Sequence, residues 1–373
     1  MKKILLMLLG IILALQMPIP VRGDEQLLAK SAVLIDGDSG RILYGKEPEK
    51  IMAMASTTKI MTCIVALENC RQDKVMTVSE KASRMPKVHM NARKGEQYYM
   101  RDLLYAMMLE SYNDVAVVVA ENVAGSVENF AKLMNKKAKE IGALNTNFVT
   151  PNGLDADKHY STAYDMALIG AYAVKNEMFV KIVTTPSYSF NDVKGKRSVS
   201  VSNKDAFLTM DKDSLGIKTG FTGKAGYCFV GAVKSKGRLF VSCVLACGWP
   251  PNKTYKWHDT KLLMSMGKDK FDYKTVLQGN QNLRVSVENG TKKYVKACID
   301  KSVRMLVSDD DRIKIKTTLK YNMPIKEGDT IGSADIYINN KCIKQHKILA
   351  LEAVRKFDYH YCLEKIFEYF MFQ

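Results

Sequence analysis

Four residues, Ser56-Thr57-Thr58-Lys59, place a hydroxyl and an amine three positions apart, just ahead of the apolar-periodic run Ile60, Met61, Ile64, Val65 and Leu67. Helical spacing puts positions 56 and 59 on one face. The start of a helix also offers free N–H groups and a dipole that stabilises developing negative charge. Those are the demands of a serine nucleophile served by a lysine base. The same spacing equally describes an N-cap followed by a solvated lysine, so the motif alone is weak. A second copy, Ser265-Met266-Gly267-Lys268, falls at the end of a predicted helix running from about 256 to 266 that should stop at Gly267. The dipole there has the wrong sign for an oxyanion.

Two further stretches raise the weight of Ser56. Ser111-Tyr112-Asn113 falls in the break between apolar helical runs at 103–109 and 115–123, where side chains can project into a cleft. The rival match Ser189-Phe190-Asn191 lies in an extended, polar stretch and reads as strand or loop. Lys218-Thr219-Gly220 occurs once, just before a β-rich run. A strand-borne lysine and hydroxyl can bind a carboxylate, and glycine leaves room for a substrate against the backbone. An ordinary lysine is protonated at neutral pH, so bringing its pKa to about 7 takes roughly 4 to 5 kcal/mol of differential stabilisation. Burial of Lys59 beside the positive charge of Lys218 supplies the right sign.

The elements that must carry these residues can be read from periodicity. Residues 31–36 and 41–45 flank Gly37-Asp38-Ser39-Gly40 and predict a hairpin; 226–233 and 238–247, joined by Lys234-Ser235-Lys236-Gly237, predict a second. Strands at both ends with helices between predict an antiparallel sheet closed by N- and C-terminal segments. Beyond residue 270 short alternating runs at 283–287, 293–299, 313–321 and 334–338 predict a separate all-β domain.

The triple set of motifs resembles that of serine β-lactamases and penicillin-binding proteins, and most closely the low-molecular-mass D-alanyl-D-alanine carboxypeptidases. The similarity extends to residues 52–62, Gly153-Leu154-Asp155, the stretch 161–167, the stretch 216–226, the all-β region and a final amphipathic helix. The resemblance implies an α+β fold: a DD-peptidase/serine β-lactamase-like domain with an antiparallel sheet flanked by helices and an all-helical subdomain, then a small all-β domain and the C-terminal helix. The implied boundaries are 1–23, 24–269, 270–352 and 353–373. It implies that Ser56 attacks the penultimate D-alanine carbonyl of a peptidoglycan stem peptide, with Lys59 as base, Ser111 as proton relay and Asn113 holding the substrate amide and Lys59. Lys218 and Thr219 would hold the terminal carboxylate, with Gly220 leaving space, the N–H groups of Ser56 and Phe221 forming an oxyanion hole, and Lys204 assisting. β-Lactam antibiotics would be covalent inhibitors. The chain departs from the family pattern at Tyr112, where glycine or alanine is more usual, and at Phe221, where histidine or tyrosine is.

Other features bound the alternatives. Lys2-Lys3, the apolar run 4–15 and Val21-Arg22-Gly23 look like a secretory signal peptide, the run being short of the ~20 residues a membrane span needs. Removing it leaves the chain with three fewer cations than its formal +17 and no fewer acids, a charge suited to cell wall or lipid headgroups. Export argues against nucleic acid as partner. Eight cysteines lack zinc-type spacing; most are expected to be buried and unpaired, which suits a reducing or anaerobic habitat, although a bridge at Cys243 or Cys247 is open. His89, His159, His258, His346 and His360 show neither HExxH nor other metal-ligand spacing, so neither metal nor cofactor is expected, and no GxSxG elbow supports a Ser-His-Asp triad. Thr162-x-x-Asp165 has the form of a helix cap, and Asp155 reads as a rim turn. In the tail, Tyr359, Cys362, Leu363, Ile366, Phe367 and Phe370 share one helical face opposite Glu364, Lys365 and Glu368, predicting a helix that lies on the outer face of the cytoplasmic membrane or packs on its own protein. The alternatives to a carboxypeptidase are a DD-endopeptidase, a β-lactamase, for which no deacylating glutamate motif is evident, and an inactive wall-binding protein.

Overall fold

The computed structural model describes residues 26–279 and 282–371; the signal-peptide reading of residues 1–23 lies outside them. Both predicted hairpins are present, and they join one sheet. Strand β1 (Ser31–Asp36) pairs with β2 (Ile42–Lys46) on one side and, on the other, with the far end of the domain. With β3 (Ser214–Thr222), β4 (Gly226–Ser235) and β5 (Arg238–Leu245) the spatial order is β2-β1-β5-β4-β3, antiparallel at every contact. The central strands β1 and β5 are buried along their whole length, as expected of a sheet covered on both faces.

One face is covered by the helix Ala163–Ala173, where Gly170 lets the backbone come close: a methyl group there would lie 2.8 Å from Val230 Cγ1. Thr162 Oγ1 accepts from the Asp165 N–H at 3.0 Å, so the predicted cap is real. The other face is covered by Tyr255–Lys270. This helix runs through the glycine expected to end it. Gly267 is there for packing, since a methyl would meet Phe240 at 2.9 Å and Leu34 at 3.1 Å; helix propensity yields to close approach on the sheet.

The helices α1 (Lys59–Asn69), α2 (Met100–Leu109) and α3 (Asn113–Ala124), with Val127–Ile141, form the helical part around a core of Ile60, Ile64, Leu104, Val118 and Phe130. Beyond Lys270 a five-stranded antiparallel sheet has the order Leu283–Ser286, Tyr294–Ile299, Lys341–Ala350, Thr330–Ile338, Ile313–Leu319, with Val295, Ile336 and Ile348 in its own core. A two-stranded sheet of Asp272–Leu277 and Val303–Val307 lies between the two parts. The sequence pattern missed Asp272–Leu277 and Lys341–Ala350, where polar residues break the alternation, and the five-residue Val303–Val307, whose run is short. Arg41, on the way into β2, points Nη2 at both oxygens of Asp311, each 2.7 Å away, while its Nη1 donates to the Leu306 carbonyl, and both charged side chains are nearly buried, a charge-assisted contact that fixes orientation. The α+β architecture inferred from the motifs, including a final helix Tyr359–Met371, is the one observed.

All eight cysteines are free. Cys63, Cys228, Cys243 and Cys247 are buried as expected, whereas Cys70, Cys298 and Cys362 are half-buried and Cys342 is exposed. Neither Cys243 nor Cys247 forms a bridge.

Candidate active site

The nucleophile candidate sits on a single 3₁₀ turn, Ala55–Thr58, that runs directly into α1. In such a turn residues three apart eclipse, and Lys59 Nζ lies 2.9 Å from Ser56 Oγ. Ala55 enters the turn at φ +48°, a conformation that costs a residue with a Cβ about 1 to 3 kcal/mol and persists only where surrounding contacts enforce it. The enforcing contact is the loop carrying Gly153 (φ +82°), which presses on Ala55 so closely that a methyl at Gly153 would lie 2.0 Å from the Ala55 carbonyl oxygen.

Lys59 is fully buried and meets three oxygens: Ser56 Oγ, Asn113 Oδ1 at 2.9 Å and the Asn152 carbonyl at 2.6 Å. Two of these are acceptors only. A neutral amine has two N–H groups and one lone pair, so donating to Asn113 and Asn152 leaves the lone pair for the Ser56 hydroxyl proton. Burial, reinforced by the charge of Lys218 and opposed by Asp114, holds Lys59 well below the ordinary lysine value of 10.5. Asn113 is itself oriented: its Nδ2 donates to the carbonyls of Pro86 (3.2 Å) and Lys87 (3.1 Å), which turns Oδ1 towards Lys59. Asp114, the next residue, accepts from the N–H groups of Met90 (2.9 Å) and Ala92 (3.1 Å) and so pins the loop that supplies those carbonyls.

Strand β3 brings the third motif alongside. A methyl at Gly220 would stand 3.0 Å from the backbone nitrogens of both Ser56 and Thr57, so the strand backbone at 220–221 and the Ser56 N–H border the same space. Lys218 is buried beneath, with burial lowering it to about 8 against the raising influence of Asp205 and Glu110. Above it opens a cleft of about 340 Å³ lined by Ser56, Ser111, Asn113, Thr219, Gly220 and Phe221 among others, with Lys204 at its edge.

Of the residues singled out from sequence, Ser56, Lys59 and Asn113 are in hydrogen-bond contact, while Thr219, Gly220 and Phe221 form the facing wall. Ser111, in the left-handed region at φ +68°, lines the cleft without a hydrogen bond to any described residue. Lys204 also lines it, half-exposed and ion-paired with Glu110 at 3.2 Å. Phe221 is 43% exposed and leans on Tyr227, ring centroids 4.6 Å apart. The rival Ser189 lies in the strand Ser187–Asn191, and Lys268 of the second S-x-x-K copy pairs with Asp211 at 2.7 Å.

Sequence reading missed the Asn152 carbonyl, Lys256 and Trp257 in the cleft wall, and His159. The His159 ring accepts the Val149 N–H at Nδ1 (3.0 Å), and its Nε2 lies 3.0 Å from Thr58 Oγ1. It therefore ties the 3₁₀ turn to the loop that carries Asn152, and burial keeps it neutral, at about 4. A backbone acceptor has no residue-type signal, and a neutral bridging histidine looks like any other; only the glycine at 153 hinted at the contact. Gly153→Ala should lower the acylation rate by about 100-fold through displacement of the pair by about an ångström and cost about 2 kcal/mol of stability. Stopped-flow labelling with a fluorescent penicillin and a thermal melt would measure both.

The chain is similar to known proteins over most of its length. A family model described as D-alanyl-D-alanine carboxypeptidase matches residues 19–247, and one described as the C-terminal domain of penicillin-binding protein 5 matches residues 271–356. The chain is 30% identical over 339 residues to D-alanyl-D-alanine carboxypeptidase DacF of Bacillus subtilis, covering 88% of this chain and 86% of that one. It is 31% identical over 351 residues to DacA of Haemophilus influenzae, covering 88% and 86%. Among solved structures, the D-alanyl-D-alanine carboxypeptidase DacD from Francisella tularensis superposes with a TM-score of 0.74 at 26% identity, covering 91% of this chain and 97% of that one. Penicillin-binding protein 5 from Haemophilus influenzae superposes with a TM-score of 0.73 at 26% identity, covering 90% and 99%. The chain belongs to the family of serine-type D-alanyl-D-alanine carboxypeptidases.

Proposed function

We propose that this carboxypeptidase works through an acyl-enzyme on Ser56, releasing terminal D-alanine from peptidoglycan stem peptides, and that β-lactams acylate the same hydroxyl. The observation that carries the reading is the fully buried Lys59 amine, 2.9 Å from Ser56 Oγ with both of its N–H groups committed elsewhere. Lys59 takes the Ser56 proton as the oxygen adds to the penultimate D-alanine carbonyl. The Ser56 and Phe221 N–H groups then stabilise the oxyanion, in the manner of preorganised donors in acyl transfer. Ser111, whose hydroxyl is uncommitted, passes the proton to the departing amine. Asn113 holds both Lys59 and the substrate amide. Lys218, Thr219 and Lys204 receive the terminal carboxylate, and water deacylates Ser56.

Purified protein should bind fluorescent penicillin and release D-alanine from a peptide ending in D-Ala-D-Ala. Fast drug turnover would point to a lactamase, and label with neither turnover nor D-alanine release to an endopeptidase. No label at all would leave a wall-binding protein and end the proposal.

We further propose that residues 1–23 direct export, 24–269 carry catalysis, 270–352 form the β domain, and 353–373 attach the protein peripherally to the outer face of the membrane. No helix among the described residues is long and apolar enough to cross one. What supports attachment is that Tyr359, Phe367 and Phe370 of the last helix are each more than two-thirds exposed and Ile366 about half, which suits a helix lying in the headgroup layer. Removing residues 355–373 should shift the protein from the membrane to the soluble fraction; unchanged fractionation would overturn the attachment.

A further inference from the structure

Behind the carboxylate-binding lysine stands a buried carboxylate to which the reading above gives no role. Asp205 follows Lys204 in the turn that leads into the short helix Phe207–Met210. Its Oδ1 accepts from the Phe207 N–H at 2.9 Å, but its Oδ2 has no hydrogen-bond partner although the side chain is only 7% exposed. That oxygen abuts β3: a methyl at Gly216, two residues before Lys218, would lie 3.1 Å from it. The glycine leaves the space the carboxylate fills.

The charges around this point come from every packed element. Lys59 faces Lys218 from α1, Lys256 faces Asp205 from the helix Tyr255–Lys270, and Glu110 faces Lys218 from the end of α2. Glu110 is already paired with Lys204. Asp114 lies behind Lys59. Asp205 is therefore the anion nearest Lys218 in effect that no described cation occupies by hydrogen bond.

We propose that Asp205 is a positioning residue: a buried counter-charge that keeps the Lys218 ammonium charged for the substrate's terminal carboxylate without hydrogen-bonding it. The inference rests on the acyl-enzyme reading of Ser56 and deepens its recognition step. A direct ion pair would consume the N–H groups that the substrate needs and would have to be broken on binding. A carboxylate set back from the ammonium acts through the field of a low-dielectric interior and leaves those donors free. Burial places Lys218 at about 8 and Asp205 at about 6, so the carboxylate is ionised across the range in which the ammonium must be held. Removing that negative charge lets burial lower Lys218 further, and substrate capture fails first on the alkaline side.

The test is the pH profile of kcat/KM for D-alanine release by the full chain and by Asp205→Asn, which retains an acceptor for the Phe207 N–H. If the alkaline limb moves down by about one pH unit, the variant loses about tenfold around pH 9, mainly in KM, and stays within about twofold of wild type around pH 6. Asp205→Ser, also uncharged and able to accept, should show the same displaced limb, and a peptide with an amidated C-terminus should be insensitive to either change. Equal loss at every pH, as a purely structural role would give, or superimposable profiles would overturn the assignment. If the wild type is not acylated by fluorescent penicillin, the Ser56 reading fails; a labelled wild type with an unchanged variant profile removes only Asp205.

Discussion

Ser56→Ala should abolish penicillin labelling and lower kcat/KM for D-alanine release by a factor on the order of 10⁴ or more, the scale seen when the nucleophile of a serine enzyme is removed. Binding should survive, because Thr219, which lines the cleft, and the buried Lys218 next to it are carried by β3 and do not depend on the Ser56 hydroxyl. The variant should therefore retain the peptide with KM changed by no more than a few-fold, measurable as competition against a fluorescent ligand. A residual activity near wild type would mean that another hydroxyl does the chemistry, and Ser111 in the same cleft would be the one to examine.

Lys59→Ala removes the base and should slow acylation about 10³-fold to 10⁴-fold, somewhat less than loss of the nucleophile. The arginine substitution is the sharper version. A guanidinium stays protonated throughout the working range and has no lone pair to offer, so Lys59→Arg should be as slow as Lys59→Ala although it restores charge. Its bulk must also fit between Asn113 Oδ1 and the Asn152 carbonyl, which are now spanned by a single nitrogen. Acylation rates by quenched flow separate the cases: recovery in Lys59→Arg would show that the position needs a cation rather than a base.

Much of this was legible in the residues. Ser56, Lys59, Ser111, Asn113 and Lys218 stand where a helix start, a helix break and a strand allow side chains to converge, and turn chemistry at 37–40 and 234–237 marked two of the three hairpins of the sheet, the one joining β3 to β4 going unread. What stayed hidden falls into three kinds. Backbone groups such as the Asn152 carbonyl carry no residue-type signal, and the role of Gly153 depends on a contact almost a hundred positions away. Packing glycines also mislead: Gly267 reads as a helix stop until the Phe240 ring is seen against it. Asp205 is a third case, a carboxylate next to a surface lysine in the chain and buried against Gly216 of the strand that carries Lys218 in the fold.

Acylation of Ser56 as proposed depends on the protonation state of one amine, which can be observed with ¹³C-labelled lysine. The Lys59 Cε resonance, assigned by its loss in Lys59→Arg, should titrate well below 10.5 in the wild type, because burial and the neighbouring Lys218 both disfavour the ammonium. It should move back up when Lys218 is replaced by a neutral residue that keeps the fold. A Lys59 signal that titrates at the ordinary lysine value, with or without Lys218, would contradict the claim that this amine deprotonates Ser56.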